Sequence, residues 1–304
     1  MKDYILRAVD KTKTIRFFVA RTTNMVQTIR DIHQSSATGS AALGRLATMA
    51  SLMGANLKSE GEVLTLKMDG NGIGGRLTAI SDMTGNVKVT ATNPAADAPS
   101  NDEGKLNVSA FVGNQGQLAV IRDFGLKEPY TGVSELVTGE IAEDFANYFY
   151  VSEQTPTVIS LGVLVDTDLS IRAAGGLFIQ LMPDTSEAVI SQLEKIISSL
   201  PAVSKMIDNG LSPEDILDTY FSDLKPEIVS KQEVQYLCDC SRKRFSSALV
   251  SLGRKELSDI IEEDGQAQII CDFCKEEYNF DKEELEDLVK QTLNPNRFTF
   301  EEME

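Results

Sequence analysis

All four cysteines of this chain lie in its last quarter, paired as Cys238-Asp239-Cys240 and Cys271-Asp272-Phe273-Cys274 with thirty residues between the pairs. No other feature restricts the possible fold as tightly. The opening Met1-Lys2-Asp3-Tyr4-Ile5-Leu6-Arg7 is broken by charge and does not read as a signal peptide, and no run approaches the ~18 apolar residues of a membrane helix. A soluble, cytoplasmic protein without a membrane partner is expected. In that compartment paired thiols point to metal or redox chemistry, because structural disulfides are rare there. Four thiolates close a tetrahedral Zn²⁺ shell at Zn–S of about 2.3 Å and leave no position for a reactive water. One Zn²⁺ per reduced chain is therefore expected, held by Cys238, Cys240, Cys271 and Cys274, at a site that is structural or switchable and not hydrolytic.

The cysteines alone leave two readings open. One is a zinc knuckle that staples a module too small to stand on its own core. The other is a redox switch. C-x-C brings two sulfurs from nearly the same place, and Arg242-Lys243-Arg244 follows Cys240 closely enough to favour thiolate. The same basic triplet reads equally well as the solvated first turn of a helix.

Other chemistries are poorly supplied. The single histidine, His33, excludes zinc sites built on two or three histidines, and a Ser-His-Asp triad could form only around it. His33 is followed by Gln34-Ser35, so the H-x-E of zinc deaminases is missing. The glycine run Gly70-Asn71-Gly72-Ile73-Gly74-Gly75 lacks the Gly-Lys-Ser/Thr of a phosphate loop and reads as a turn. The formal net charge is −17: residues 1–200 carry 22 acidic and 17 basic side chains, residues 201–304 carry 24 and 12. That field repels phosphate backbones, and with no tryptophan a base-stacking platform is also unsupported, so no nucleic-acid partner is expected. No catalytic residue emerges, and the chain is expected not to be an enzyme.

The organisation predicted is α+β: an N-terminal antiparallel-sheet and helix domain (1–182), a short amphipathic helical linker (183–226) and a small C-terminal four-cysteine zinc module (227–304). Strand patterns fall at 14–20, 62–68, 76–80, 86–92, 106–111, 117–122, 158–165 and 169–173, with helical spacing at 23–32 and 41–53. Short spacing and hairpin turns favour antiparallel pairing. After Met182-Pro183 the period becomes helical. Asp184-Thr185-Ser186-Glu187 offers a cap, and Val189, Leu193, Ile196, Ile197 and Leu200 line one apolar face. A second helix carries Val203, Met206 and Ile207; a third starts at the capping box Ser212-Pro213-Glu214-Asp215. Helices this short are marginal alone and require a docking surface. In the last module, Phe245–Leu252 reads as a helix, Ala267–Cys271 as a strand and Asp281–Val289 as a helix stopped by Asn294-Pro295, with Arg297–Glu304 a frayed tail.

The cysteine spacing in an acidic C-terminal module resembles the redox-regulated 33-kilodalton heat-shock chaperone family. The resemblance runs along the whole chain. Thr38, Ala42, Gly44 and Arg45 look like the family's T-x-x-x-A-x-G-R helix, and Pro129-Tyr130-Thr131-Gly132 like its P-Y-x-G turn. Gly139-Glu140-Ile141-Ala142-Glu143-Asp144, Tyr148-Phe149 and Ser152-Glu153-Gln154 match G-E-I-A-E-D…Y-F…S-E-Q, and Ala174-Gly175-Gly176 with Gln180-x-x-Pro183 match A-G-G-x-x-x-Q-x-x-P. Near Ile73 the family commonly has proline, a departure expected to alter turn shape only. The resemblance implies an ATP-independent holdase, inactive when reduced and zinc-bound. Oxidation would release zinc, form Cys238–Cys240 and Cys271–Cys274 disulfides, unfold the module and linker, and yield a homodimer that holds unfolding client proteins, with domain 1–182 carrying client binding and dimerisation.

Two readings from other classes compete with it. A constitutive zinc-ribbon interaction module would bind a protein partner without a switch. A thiol-disulfide oxidoreductase would use Cys271-x-x-Cys274, which requires that pair at a helix N-terminus in a thioredoxin-like setting.

Overall fold

The computed structural model describes residues 1–183 and 185–292. Asp184 of the expected cap, the Asn294-Pro295 stop and the tail at 297–304 lie outside the described residues. The chain divides into two compact units, Met1–Leu237 and Cys238–Glu304.

The first unit is built on two five-stranded sheets. One contains β1 (Tyr4–Val9), β2 (Ile15–Arg21), β8 (Thr157–Val165), β9 (Ile171–Leu181) and β10 (Glu227–Glu233) in the order β10-β1-β2-β9-β8. The other contains β3 (Val63–Asp69), β4 (Leu77–Asp82), β5 (Val87–Ala91), β6 (Gln117–Asp123) and β7 (Tyr130–Glu135) in the order β5-β4-β3-β6-β7. Every pairing within both sheets is antiparallel. The fold class is α+β, with antiparallel sheets and a C-terminal cluster of four cysteines.

Helix α1 (Thr23–His33) leads into α2 (Ala37–Gly54), which packs on strands of both sheets. Almost every residue of α2 is buried, as a helix between two sheets requires. Its small side chains permit the approach: a Cβ at Gly44 would lie 2.6 Å from Val26 and 2.9 Å from Val163. His33, at the end of α1, is buried.

The motif around 139–144 has a physical explanation. Helix α4 (Ala142–Val151) follows Ile141, a β-branched residue at φ 73°. That conformation costs ~1–3 kcal/mol and needs support from its surroundings. Buried Asp144 supplies it by accepting the amides of Val137 (2.8 Å), Thr138 (3.0 Å), Gly139 (3.2 Å) and Ile141 (2.9 Å). Arg45 on α2 donates to the Glu140 carboxylate at 2.6 Å, so the two motifs meet.

Three elements depart from the sequence expectation. Residues 106–111, expected as a strand, form the short helix α3 (Val108–Val112), because the Asn107 side chain caps the Ala110 amide at 3.0 Å and Val108, Phe111 and Val112 are buried on one helical face. Tyr130-Thr131-Gly132, expected as part of a turn, begins β7. Residues 227–237, assigned by pattern to the third domain, belong to the first unit because β10 pairs with β1 at the sheet edge. Being mostly exposed, β10 carries no alternation to announce it.

The linker forms helices α5 (Glu187–Ser198), α6 (Val203–Asp208) and α7 (Pro213–Tyr220), followed by a 3₁₀ turn at Ser222–Leu224. They cover the face of the β1-β2-β9 sheet opposite α2. Leu193, Val203, Met206, Ile207, Ile216, Leu217 and Phe221 form one core with Leu6, Phe17, Val19, Leu177 and Ile179. The rings of Phe17 and Phe221 meet edge-on at 5.3 Å. Polar ties reinforce the docking: Arg172 on β9 pairs with Asp208 of α6, and Glu214 of α7 accepts from Tyr4 and, at 2.8 Å, from Lys231 on β10. The box at Ser212 forms, with Ser212 Oγ accepting the Asp215 amide at 3.1 Å.

The second unit contains α8 (Arg242–Leu252), α9 (Arg254–Glu263), the hairpin β11 (Ala267–Ile270) with β12 (Glu277–Phe280), and α10 (Lys282–Thr292). Among the described residues its buried apolar core is Leu249, Leu257, Tyr278, Phe280, Leu285 and Leu288. Six such side chains are a small core for a module of this size, which is the condition under which metal ligation becomes a main source of fold stability.

Candidate metal centre

Two loops of the second unit bring the sulfurs together. Cys238 and Cys240 precede α8, where Ser241 caps the helix by accepting the Arg244 amide at 3.3 Å. Cys271 and Cys274 sit in the turn between β11 and β12, closed by Lys275 N to Cys271 O at 2.8 Å and Cys271 N to Glu276 O at 2.9 Å. Lys275 takes a left-handed φ of 62° to complete that turn. Cys271–Cys274 therefore lies at a hairpin and not at a helix N-terminus, which removes the setting an oxidoreductase needs.

The four sulfurs all fall within 4.8 Å of one another. Cys238 and Cys271 are 3.7 Å apart, Cys240 and Cys274 3.2 Å. A tetrahedron with metal–sulfur bonds of about 2.3 Å has edges of about 3.8 Å, so the set fits a single tetrahedral thiolate-bound cation of zinc's size. All four are free thiols.

Backbone amides point at the sulfurs. The Cys240 amide donates to Cys238, those of Cys274 and Phe273 to Cys271, and that of Glu276 to Cys274. Burial pushes the Cys238 thiol far above its ordinary value and that of Cys274 up to about 11. At Cys271 burial also acts upward, but the Cys274 and Phe273 amides together with the Cys274 and Cys238 sulfurs outweigh it and the net shift is downward. Such donors orient thiolate ligands and offset part of their charge.

One contact was invisible in the residue pattern: the Tyr278 hydroxyl lies 3.2 Å from Cys240 Sγ. The alternation Tyr278/Phe280 was the available signal, since it marks β12 as a strand with one buried face. Both arginines of the basic triplet are engaged by carboxylates. Arg242 pairs with Glu284 at 2.6 Å and stacks over Phe280, and Arg244 pairs with Asp239.

In the first unit, Leu193 of the expected linker face is buried, and Val189, Ile196, Ile197 and Leu200 are partly buried against the same core.

The family described as Hsp33 protein matches residues 3–281. The chain belongs to the Hsp33 family. It is 44% identical over 291 residues to the 33 kDa chaperonin of Alkaliphilus metalliredigens, covering 96% of this chain and 100% of that one. With the 33 kDa chaperonin of Bacillus subtilis it shares 43% over 290 residues, 95% of this chain and 99% of the other. The crystal structure of the Thermotoga maritima 33 kDa chaperonin superposes with a TM-score of 0.87 at 36% identity, covering 97% of this chain and 100% of that chain. The Hsp33 relatives are named as chaperonins and not as enzymes. Among the described residues of this Hsp33 chain no helix is long and apolar enough to cross a membrane.

Proposed function

We propose that this protein is a cytoplasmic, redox-regulated, ATP-independent holdase whose reduced form carries one Zn²⁺ on Cys238, Cys240, Cys271 and Cys274. The observation that carries the reading is the gathering of all four thiols within 4.8 Å in a module whose described residues include six apolar side chains buried in one core. Bound zinc would supply ~10–16 kcal/mol of fold stabilisation, as it does in zinc-finger peptides. The residues then act in sequence. Peroxide takes two electrons and two protons from each thiol pair, giving Cys238–Cys240 and Cys271–Cys274 disulfides and water. No thiolate is left to ligate, and a core this small does not hold the module folded. The linker follows: β10 runs directly into the cysteine segment, and α5, α6 and α7 are too short to persist undocked. Their apolar faces and the sheet face beneath them become the surface on which unfolding clients are held and the active homodimer forms.

The test compares the zinc-loaded reduced chain with the peroxide-treated chain in suppressing aggregation of thermally unfolding citrate synthase without ATP. The oxidised form is expected to suppress it and the reduced form not to. Equal suppression by both would instead favour a constitutive zinc-ribbon interaction module.

A further inference from the structure

A cavity of about 690 Å³ opens in the first unit, on the side of the sheet opposite the face covered by the linker. Its walls come from β2, the end of α2, the segment after α4 and the end of β9, so the Glu153-Gln154 and Gln180-x-x-Pro183 motifs, which the redox site does not use, meet there. Met53, Leu57 and the mutually tilted rings of Phe149 and Phe178, with centroids 5.2 Å apart, give it an apolar floor.

Its polar groups are unusual for a chain of net charge −17. Arg16 and Gln180 stand directly opposite each other on β2 and β9 and both line the cavity. Gln180 is only 7% exposed, yet its side-chain amide meets no hydrogen-bond partner among the described residues. The Arg16 guanidinium likewise has neither ion pair nor hydrogen bond there. The unpaired atoms of half-buried Arg16 and of Gln180 are open to the cavity and not sealed from solvent, so the two groups side by side offer hydrogen bonds that a ligand can take over from water. Arg122 is already neutralised by Glu153 at 2.5 Å. Lys58 and Glu62 also line the wall, so among the described residues the lining holds three cations, two carboxylates and one positive charge in excess. Arg7 lies behind it, and its pKa is held below the ordinary value by burial and then by Arg16, so like charges are already crowded here without a counter-ion.

We propose that this cavity binds an amphipathic monocarboxylate, its carboxylate between the Arg16 guanidinium and the Gln180 amide and its apolar part over Phe149, Phe178, Leu57 and Met53. A single excess positive charge matches a monoanion better than a dianionic phosphate, and a guanidinium fork matches carboxylate geometry. The volume is within the range of small-molecule sites. The site is independent of the redox reading, because none of its charged or aromatic groups belongs to the cysteine module or the linker, whose Pro183 only touches its edge.

The test is equilibrium binding to the reduced, zinc-loaded full chain, with decanoate as probe and 1-decanol as its uncharged counterpart. Decanoate is expected to bind one-to-one and at least about tenfold more tightly than 1-decanol. Arg16→Gln should remove that advantage and leave 1-decanol binding unchanged, and Gln180→Leu should weaken decanoate several-fold. In the unaltered protein, decanoate should shift the amide resonances of residues 56–58 and 178–182. Equal affinity for the two probes, decanoate binding indifferent to Arg16→Gln, or resonance shifts confined to other regions would each overturn the proposal.

Discussion

Gly162 on β8 and Gly175 on β9 are cross-strand partners, and α6 of the linker lies directly on them. A Cβ at Gly162 would lie 2.6 Å from Ser204 Oγ and 2.7 Å from Ser204 Cβ, and one at Gly175 would run into Ile207 and the Ala20 carbonyl. The pair forms a slot without side chains that sets how closely the linker seats.

Filling the slot should loosen the linker. Gly162→Ala is expected to cost ~1–3 kcal/mol through overpacking, to raise hydrogen exchange across α6, and to give the reduced protein holdase activity without oxidant. Adding Ser204→Gly should recover part of the loss. Undocking of α6, seen by hydrogen exchange, with no gain of holdase activity would contradict masking by the linker.

Leu193 is the anchor of α5. Leu193→Ala should cost ~2–4 kcal/mol by leaving a cavity, whereas Ile196→Ala, at a partly buried position, should cost less. Chemical denaturation of the zinc-loaded reduced protein orders the two; the reverse order would show that α5 seats on its other edge.

The linker illustrates what the residues disclose. The stripe at Val189, Leu193, Ile196, Ile197 and Leu200 and the box at Ser212 were visible because helical period and capping are local patterns. Leu193 could not be ranked above its neighbours, since burial depends on where the sheet lies. For the same reason the residue pattern does not disclose β10, an exposed edge strand, or the helix at 254–263, and Leu106–Phe111 has a strand-like pattern that the Asn107 cap overrides. In the cysteine site the four sulfurs that gather were legible from spacing alone. The Tyr278 hydroxyl was not, because strand pairing brings it to Cys240 across 38 residues.

Asp144 holds the turn at Ile141. In Asp144→Asn, one of the two oxygens becomes an NH₂ group, so either the Ile141 amide or the amides of 137–139 face a donor. The loss should be ~2–4 kcal/mol in the first unit, read by denaturant unfolding, with metal content unchanged. A shift below about 0.5 kcal/mol, the range of an inconsequential substitution, would show that the positive φ at Ile141 is supported by packing alone.

Asp3 gives a pH signature. Burial pushes its carboxyl up from 3.8 to about 6, although the Met25 amide at 2.7 Å and Arg21 at 2.6 Å pull it down. The folded state therefore binds this proton more tightly than the unfolded state. The stability it contributes is fully present below pH 3.8 and is lost as pH rises through about 6. The stability of Asp3→Asn minus that of the parent should rise between about pH 4 and pH 7, by up to roughly 2–3 kcal/mol. A difference that is flat or falls with pH would contradict it.

The most direct measurement is a peroxide titration of the reduced chain that records bound zinc and free thiols together at each step. One zinc per chain is expected at the start. Zinc should leave as the first thiol pair disappears, with Cys271 and Cys274 oxidised before Cys238 and Cys240 because two intervening residues close a less strained ring than one. A reduced chain that binds no zinc, or one that keeps its zinc after all four thiols are oxidised, would contradict it.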